Sequence, residues 1–393
     1  MVETENSQPK KSLSILAAIP SVAYGGAEKM SLLTIEQLIS RGHQVQAVAP
    51  ITKSNHHLER DIKELGITCH RWPCTPNPPL HRRLLLAACT LKWIRFLRQH
   101  PADVIHITTP WPRISLDLLL AVGILKRPTL LLHQLVHPDV HFGSNTKPLY
   151  QWCLQRGLRL ATVSNSNAAI LSKALGVAQN TIEVIENASP SIRTIQSQKH
   201  DQAAALKAQY GLPSHAKIVL CIGRISDQKG ADIIAPGAYH ITKEYPEVYF
   251  VWLGDGPQRA ALEEQIKTYN LQQRFIITGW QDSAATALKA SDLLLFPTRC
   301  EGFPLTLVEA MYAELPIVAS RAPGVVDLCQ DHENCRLFRP EDPCDLMETV
   351  RWALNNPQDM KQFAQQAKRD VLQFNIDAMV DKTENSLYKL CQT

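Results

Sequence analysis

Two glutamates stand near the ends of the segment RCEGFPLTLVEA, residues 299–310. Glu301 precedes a predicted helix and Glu309 lies within it, while Gly302 lets the backbone come close to a ligand. Ionised carboxylates only accept hydrogen bonds and therefore suit hydroxyl donors, whereas the N–H groups at a helix start attract anions. This order predicts a ligand with hydroxyls at both ends and phosphate in the middle. The structural alternatives are an exposed helix position for Glu309 and a favourable charge at a helix start for Glu301.

A second loop, GRISDQKGAD at residues 223–232, brings two cations to the end of a predicted strand. Arg224 and Lys229 could hold a diphosphate, because guanidinium and ammonium groups form charge-assisted hydrogen bonds to its oxygens and Gly230 opens the next helix. As a lone motif the segment could equally be a solvated surface loop. No G-x-x-x-x-G-K-[ST] sequence occurs, so a P-loop nucleotidase is not indicated.

A Gly-Gly turn lies near the N-terminus in PSVAYGGAEKM, residues 20–30. Gly25 and Gly26 stand between a predicted strand and a predicted helix, where an anion can approach backbone N–H groups. A tight turn without a ligand is an equally good interpretation. The spacing differs from G-x-G-x-x-G, so a dinucleotide fingerprint is absent.

Short apolar runs alternate with helical patterns along most of the chain, which predicts an α/β protein with parallel sheets covered on both faces. We predict two doubly wound, Rossmann-like domains that face a cleft, over residues 1–190 and 214–370, joined by a linker at 191–213. Ligands of such sheets bind beyond the carboxyl ends of the strands. The predicted strands lie in residues 13–20, 44–50, 102–108, 128–133, 159–164, 181–187, 217–223, 248–254, 274–279, 292–297, 316–320 and 334–338.

The composition of the 393 residues excludes several classes of protein and is typical of a globular one with two hydrophobic cores. The net charge of +4 is too small to indicate nucleic-acid binding. No run approaches about eighteen apolar residues and the N-terminus lacks the apolar core of a secretion signal, so we expect a cytoplasmic protein. The ten cysteines have no zinc-ligand spacing and are interpreted as reduced, mostly buried small side chains.

Several segments resemble the glycosyltransferase 4 family, whose members are retaining glycosyltransferases of the GT-B fold. In the second half these are GRISDQKG, LGDGP, SDLLLFPTRCEGFPLTLVEAMYAELPIVAS and PGVVDL. The family's hallmark, two glutamates separated by seven residues, matches Glu301 and Glu309. Looser matches in the first half are the Gly-Gly turn, DVIHIT, LLLHQ, TVSNSN and VIENA. The resemblance spans nearly the whole chain.

The resemblance implies a role for each matching residue. Arg224 and Lys229 would hold the donor diphosphate, Glu309 the ribose hydroxyls and Glu301 the transferred sugar. The residues that would line the diphosphate and the sugar are Gly25, Gly26, Gly302, Phe303, Pro304, Leu305 and Thr306.

A histidine and the C-terminal helix also match the family. His133, at the end of LLLH, would contact the donor sugar near its anomeric carbon, and histidine is the usual proton-handling side chain. A structural histidine at a strand end is the alternative, and His106 and His137 are weaker candidates. The helix predicted within residues 371–393 would cross back to the first domain.

The chain departs from the family pattern at a few positions. Glu314 stands where the family commonly has Gly, Asp327 where it has Glu, and Glu186 and Ala188 where it has the Pro and Gly of Pro-Asn-Gly. These differences concern the identity of the donor and the hinge between the domains more than the class of reaction.

The resemblance implies transfer of a hexose from a UDP- or GDP-type nucleotide sugar to a glycan or lipid hydroxyl, with no cofactor. Arg224, Lys229 and helix N-termini would stabilise the leaving diphosphate as a divalent metal does elsewhere. No D-x-D sequence occurs, which fits a metal-independent mechanism. Retention of configuration implies either front-face attack or a covalent intermediate.

Two other functions are compatible with the same two-domain fold. A sugar-nucleotide epimerase would turn over its nucleotide sugar without an acceptor, and a non-catalytic protein would only bind the nucleotide sugar. The combination of Arg224, Lys229, Glu301 and Glu309 argues against a decayed site.

Residues 80–98, LHRRLLLAACTLKWIRFLR, suggest a helix that lies on a membrane surface and serves a lipid acceptor. On a helical wheel the basic residues spread around the circumference, so a half-buried helix of the first domain is an equal explanation. The basic residues are Arg82, Arg83, Lys92, Arg95 and Arg98.

Overall fold

The computed structural model of the protein describes residues 11–22, 25–52, 55–74, 83–112, 115–143, 146–197, 203–281 and 283–392. The chain forms two compact units. The first consists of Met1–Val163, Ala168–Ile185 and Met379–Thr393, and the second of Ser164–Asn167 and Glu186–Ala378.

The first unit contains a parallel sheet of seven strands in the order β3-β2-β1-β4-β5-β6-β7. Its central strands are buried on both faces, as expected where helices cover both sides of a parallel sheet. The strands are β1 (Ser14–Ala18), β2 (Gln44–Ala49), β3 (Cys69–Arg71), β4 (Val104–Thr109), β5 (Thr129–His133), β6 (Leu158–Thr162) and β7 (Ile182–Val184). The α-helices are α1 (Gly26–Ser40), α2 (His56–Glu64), α3 (Arg83–Gln99), α4 (Leu116–Leu125), α5 (Thr146–Leu154) and, from Ala168 onwards, α6 (Asn165–Leu175).

The second unit contains a parallel sheet of six strands in the order β10-β9-β8-β11-β12-β13. These strands are β8 (Lys217–Ile222), β9 (Val248–Leu253), β10 (Phe275–Gly279), β11 (Leu293–Phe296), β12 (Ile317–Ser320) and β13 (Arg336–Phe338). The α-helices are α7 (Ile192–Ser197), α8 (Ala203–Gln209), α9 (Ile234–Glu244), α10 (Arg259–Thr268), α11 (Ala285–Ala290), α12 (Leu305–Tyr312), α13 (Pro343–Asn355) and α14 (Pro357–Val371).

The last helix, α15 (Ile376–Cys391), belongs to the first unit from Met379 onwards. Within that unit Glu384 accepts a hydrogen bond from His43 Nε2 at 2.9 Å, and Asp381 pairs with Arg41 at 2.5 Å. No helix in the described part of the chain is long and apolar enough to cross a bilayer.

The predicted α/β class with two doubly wound parallel sheets is confirmed, and each predicted apolar run overlaps a strand. Strand β3 was not predicted, because its three residues, CHR, carry no apolar run. The stretch 191–213, expected as a linker, contains helices α7 and α8 in its described part. In each sheet the strand order reverses at one point, between β1 and β4 and between β8 and β11. Ligand-binding loops are expected after these strands.

Candidate active site

The second sheet brings two predicted site residues into contact where its strand order reverses. Lys229 follows β8, Glu301 follows β11, and Lys229 Nζ lies 2.6 Å from Glu301 Oε1. Lys229 also lies 5.2 Å above the ring centroid of Phe296. The Glu301 side chain is buried, so the pair is shielded from solvent.

Thr298 is a third member of this cluster that the sequence analysis missed. Its buried hydroxyl lies 2.8 Å from Glu301 Oε1 and 2.9 Å from the carbonyl of Gln228. The Gln228 side chain in turn donates to the carbonyl of Cys300 at 2.9 Å. These bonds tie the loop after β8 to the loop after β11. A hydroxyl residue at the carboxyl end of a strand, three positions before Glu301, is the signal that could have identified it.

The two loops approach each other so closely that Gly230 must be glycine. Its φ is +66°, and a Cβ added there would lie 2.1 Å from the carbonyl oxygen of Pro297. Gly211 has the same φ of +66° with nothing within 4 Å of the added Cβ. Alanine at either position would have the same backbone strain, but only alanine at position 230 would also overlap a neighbouring atom. Comparing the two positions therefore isolates the cost of the steric overlap.

We expect Gly230→Ala to destabilise the second unit by about 2 to 3 kcal/mol more than Gly211→Ala, because only Gly230 faces a backbone carbonyl. Both substitutions reduce the conformational freedom of the unfolded chain by the same amount. Denaturant unfolding of the two variants side by side measures the difference. Equal free energies of unfolding would show that the contact with Pro297 relaxes at no cost.

Arg224 differs from Lys229 in its surroundings. Its side chain is exposed, and within the described ranges it forms no ion pair. The LGDGP segment lies beneath it: a Cβ added to Gly256 would come within 2.3 Å of the Ile225 carbonyl oxygen and 2.9 Å of Arg224 Cγ. The loop thus fixes the stem of Arg224 and presents its guanidinium outward, in a position to bind an anion.

The segment between the two glutamates begins helix α12. Pro304 occupies the N-cap with an extended backbone, and its carbonyl accepts from the N–H of Leu307 at 3.0 Å. Gly302 and Phe303 are buried, and Phe303 packs edge-on against Phe374 at 5.1 Å. Leu305 and Thr306, which form the first turn, are half-buried. The first turn of α12 contains no acidic residue, which favours an anion there.

Glu309 lies one turn further along α12 and has a partner that the sequence gave no reason to suspect. Ser189 donates its hydroxyl proton to Glu309 Oε1 at 2.6 Å and accepts the N–H of Ser191 at 3.1 Å. Because the backbone N–H fixes the direction of the hydroxyl, Ser189 is a donor to the carboxylate. Ser189 is buried, and 120 positions separate it from Glu309.

In the first unit, the Gly-Gly turn begins helix α1 as predicted, but the helix start already contacts a carboxylate. The N–H of Gly25 donates to Glu28 Oε2 at 2.7 Å in a capping-box arrangement, and Glu28 is buried. Gly26 has open space around the position of an added Cβ. The spacing of Glu28, three residues after the N-cap, was the available signal for this cap.

His133, the last residue of β5, is buried, and its two ring nitrogens differ. Nδ1 lies 2.6 Å from the hydroxyl of Thr109 on the neighbouring strand, whereas Nε2 is buried and has no hydrogen-bond partner within the described part of the chain. Burial lowers the pKa of His133 to about 3, so the imidazole is neutral at physiological pH. A neutral ring with one unsatisfied nitrogen can donate or accept a single hydrogen bond from a ligand.

The weaker histidine candidates differ from His133. His106 is buried within β4, and burial lowers its pKa to about 4. Its Nε2 lies 3.4 Å from the Thr108 hydroxyl. His137 is exposed and accepts the N–H of Asp139 through Nδ1 at 3.2 Å.

Acid should destabilise the folded protein through His133. The pKa of the histidine is near 6.5 in the unfolded chain and about 3 in the folded protein. The contribution of neutral His133 to the free energy of unfolding is therefore fully present above pH 6.5 and is lost as the pH falls towards 3. We expect about 2 kcal/mol of this loss between pH 7.5 and pH 5 from His133 alone. His133→Gln should lose correspondingly less stability over that range in denaturant titrations. An identical pH dependence in both proteins would exclude the buried, neutral state.

Glu314, which stands in place of the family's glycine, has a φ of +56° at the end of α12 and forms an ion pair with Lys368. Glycine is the residue that adopts this backbone most readily, which explains the family preference.

Cys74, Cys89 and Asp117 are the one group within the described ranges that has metal-binding geometry, and none of the predicted site residues belongs to it.

Comparison with known proteins identifies both halves of the chain. Residues 24–189 match the model described as "Glycosyltransferase Family 4", and residues 202–370 match "Glycosyl transferases group 1". The 2-deoxystreptamine glucosyltransferase of Streptomyces kanamyceticus is 26% identical over 76% of this chain and 82% of its own length. The alpha-D-kanosaminyltransferase of the same organism is 26% identical, over 59% of this chain and 61% of its own length.

Solved structures share the fold at low identity. Anabaena Alr3699/HepE in complex with UDP has a TM-score of 0.80 at 20% identity, covering 96% of this chain and 100% of that one. A glycosyltransferase from Rickettsia africae has a TM-score of 0.83 at 16% identity, covering 97% and 99%. With both family models matched and two Rossmann-like parallel-sheet domains observed, this chain belongs to glycosyltransferase family 4 and has the GT-B fold.

Proposed function

We propose that the protein is a retaining glycosyltransferase that moves a hexose from a nucleoside-diphosphate sugar to a hydroxyl of a glycan or lipid. The observation that carries the proposal is the placement of Arg224, Lys229 and Glu301 where the strand order of the second sheet reverses. Solved complexes of Anabaena Alr3699/HepE contain UDP or UDP-glucose. These complexes favour a UDP-type donor over a GDP-type donor for this chain.

The site must stabilise the negative charge that develops on the leaving diphosphate. As the bond between the sugar and the phosphate breaks, positive charge develops on the sugar and negative charge on the diphosphate. Arg224 and Lys229 stabilise the diphosphate, together with the N-terminus of α12, where Gly302, Leu305 and Thr306 surround its oxygens. These fixed positive groups replace a divalent metal, so Mg²⁺ or Mn²⁺ added to chelator-treated enzyme leaves the rate unchanged.

Glu301 binds the hydroxyls of the transferred sugar. Lys229 and Thr298 both contact its Oε1, which fixes the carboxylate in one orientation. Phe303 and Pro304 form the buried wall beside it. Retention of anomeric configuration then follows from attack on the face that the diphosphate leaves, with a phosphate oxygen taking the proton of the acceptor hydroxyl.

In the first unit, the family resemblance assigns Gly25 and Gly26 to the donor diphosphate and His133 to the sugar near its anomeric carbon, although the N–H of Gly25 already donates to the buried carboxylate of Glu28. The unsatisfied Nε2 of His133 supports this assignment, because a buried ring nitrogen gains a hydrogen bond when a sugar hydroxyl reaches it. A neutral imidazole, with its pKa lowered by burial, suits hydrogen bonding more than proton transfer.

Glu309 binds the ribose hydroxyls, oriented by Ser189. Glu309→Ala should weaken binding of free UDP about 10- to 100-fold, the usual effect of losing a charged hydrogen-bonding partner. Calorimetric titration of UDP into the two proteins measures the change, and Glu348→Ala on α13 is the matched control. Unchanged affinity for UDP in Glu309→Ala would remove the ribose assignment.

A panel of nucleotide sugars tests the whole proposal. Each sugar is incubated with and without glycan and lipid acceptors, and nucleotide release and mass spectra are recorded. Acceptor-dependent release with a retained anomeric configuration supports the transferase. Isomerised donor without any acceptor identifies an epimerase instead, and saturable binding without turnover identifies a non-catalytic nucleotide-sugar-binding protein.

We also propose that helix α3 binds a membrane surface rich in anionic lipid, at the cytoplasmic face, where a lipid-linked acceptor is available. Its buried side chains lie on one face. On the opposite face Leu84 and Leu91 are 89% and 66% exposed, and four basic side chains accompany them. None of these four forms an ion pair with the described residues, and α3 contains no acidic residue. The four are Arg83, Lys92, Arg95 and Arg98.

Helix α3 is half-buried, which agrees with the alternative of a half-buried helix of the first domain, and the four described basic side chains lie on its exposed half. Arg82 lies outside the described residues. Exposed leucines flanked by cations are typical of helices that lie in the membrane interface. In vesicle sedimentation, Leu84→Ser/Leu91→Ser should bind phosphatidylglycerol vesicles at least about ten-fold more weakly than the wild type. Leu372→Ser, at a leucine 54% exposed in the second unit, is the control. Equal binding of all three proteins contradicts the assignment.

A further inference from the structure

Three side chains in the first unit form a cluster that the glycosyltransferase proposal does not use. Cys74 follows β3, Cys89 lies on α3, and Asp117 lies in the first turn of α4. One ligand atom from each, two sulfurs and a carboxylate oxygen, lies within 4.8 Å of the others. Cys74 Sγ and Asp117 Oδ2 are 3.1 Å apart. The fold thus assembles a compact set of metal-ligand atoms from residues that are distant in sequence.

The cluster leaves a buried carboxylate oxygen without a hydrogen bond. Asp117 is fully buried, and its Oδ2 accepts from both Cys74 and Trp93 Nε1, the latter at 3.0 Å. Asp117 Oδ1 is buried and has no hydrogen-bond partner among the residues that the structure describes. Buried polar atoms are almost always satisfied, and a cation held beside the two thiols would satisfy this carboxylate oxygen.

We propose that Cys74, Cys89 and Asp117 bind a zinc-type divalent cation. Two sulfur ligands select a borderline-soft metal and exclude Mg²⁺ and Ca²⁺, which require oxygen ligands. Tetrahedral zinc places its sulfur ligands about 3.8 Å apart and sulfur and oxygen about 3.5 Å apart, distances that the cluster reaches with small shifts. Trp93 supports the site by hydrogen-bonding the ligating carboxylate.

The cation would connect three elements of the first unit. Cys74 comes after the short edge strand β3, and Cys89 and Asp117 anchor the packed helices α3 and α4. Fixing α3 in this way would also fix the direction of its exposed basic face. None of its residues belongs to the predicted donor site, so we assign the cation a role in the stability of the first unit and not in sugar transfer.

Metal analysis tests the proposal directly on the full-length protein. The protein is purified under reducing conditions without chelator, and its zinc content is measured by mass spectrometry. Apoprotein is then titrated with Zn²⁺, and with Co²⁺ as a spectroscopic probe. We expect about one zinc per chain and the thiolate-to-cobalt charge-transfer absorption of a site with two sulfurs.

Cys89→Ser is expected to lose the bound zinc and the charge-transfer absorption. Cys153→Ser, at a buried cysteine of the same core whose thiol donates to the Leu119 carbonyl at 3.3 Å, is expected to keep both. Two outcomes overturn the proposal without any variant: wild-type apoprotein that takes up no zinc, or a Cys74–Cys89 disulfide in the protein purified under reducing conditions. Zinc retained in both Cys74→Ser and Cys89→Ser would place the metal elsewhere and also overturn it.

Discussion

Lys229→Ala is expected to lower the rate of sugar transfer by about 10²- to 10³-fold, the usual effect of removing one preorganised group that stabilises developing charge. Lys229 lies in a shielded position between Glu301 and the ring of Phe296. A cation that is partly removed from water interacts more strongly with a leaving diphosphate than a solvated one does. Initial rates at saturating donor and acceptor measure the loss.

The effect on activity must be separated from an effect on folding. Removing Lys229 leaves the buried carboxylate of Glu301 without its cation, which destabilises the protein. The double variant Lys229→Ala/Glu301→Gln removes that charge as well and should recover stability while remaining inactive. Lys267→Ala, at a lysine in the last turn of α10, is the control for loss of a lysine far from the site.

Arg224→Ala provides the second half of this prediction. Because Arg224 is exposed and forms no ion pair within the described ranges, its loss should leave the free energy of unfolding unchanged while lowering activity. A near-normal turnover in both Arg224→Ala and Lys229→Ala would refute the role of the two cations. Loss of activity in Lys229→Ala alone would assign the diphosphate to Lys229 and the helix N-terminus.

The sequence predicted the sheets of both units because fully buried strands appear as uninterrupted apolar runs, such as LLLF in β11. It also placed Lys229 and Glu301 in loops that follow predicted strands, where ligands of parallel sheets bind, but it did not predict that the two side chains meet. The edge strand β3 was not predicted, because it consists of only three residues and these are half-buried or exposed.

Contacts between distant residues could not be predicted. Nothing in the spacing of Ser189 and Glu309 indicates that the two side chains meet, because their meeting depends on how α12 packs in the second unit. The cluster of Cys74, Cys89 and Asp117 was missed for the same reason. Zinc motifs are recognised by short, regular ligand spacings, and these three residues come from separate elements that only the folded core brings together.

Glu301→Gln is expected to lower kcat by about 10²- to 10³-fold while changing the affinity for free UDP by less than about two-fold. The amide keeps the shape of the side chain, and its oxygen still accepts from Thr298 and Lys229, so the loop geometry survives. What is lost is the negative charge beside the sugar, where positive charge develops as the bond to phosphate breaks. Single-turnover rates and calorimetric titration with UDP separate the two effects.

Glu333→Gln, at an exposed glutamate of the same unit, controls for the loss of one negative charge and should keep full activity. A Glu301→Gln enzyme with a normal kcat but weakened binding of UDP would move Glu301 from the sugar to the nucleotide. Such a result would contradict the assignment of Glu301 to the sugar that the family resemblance implies. Because Lys229 contacts Glu301 directly, the Lys229 and Glu301 variants should also be non-additive in kcat, which independent sites would not produce.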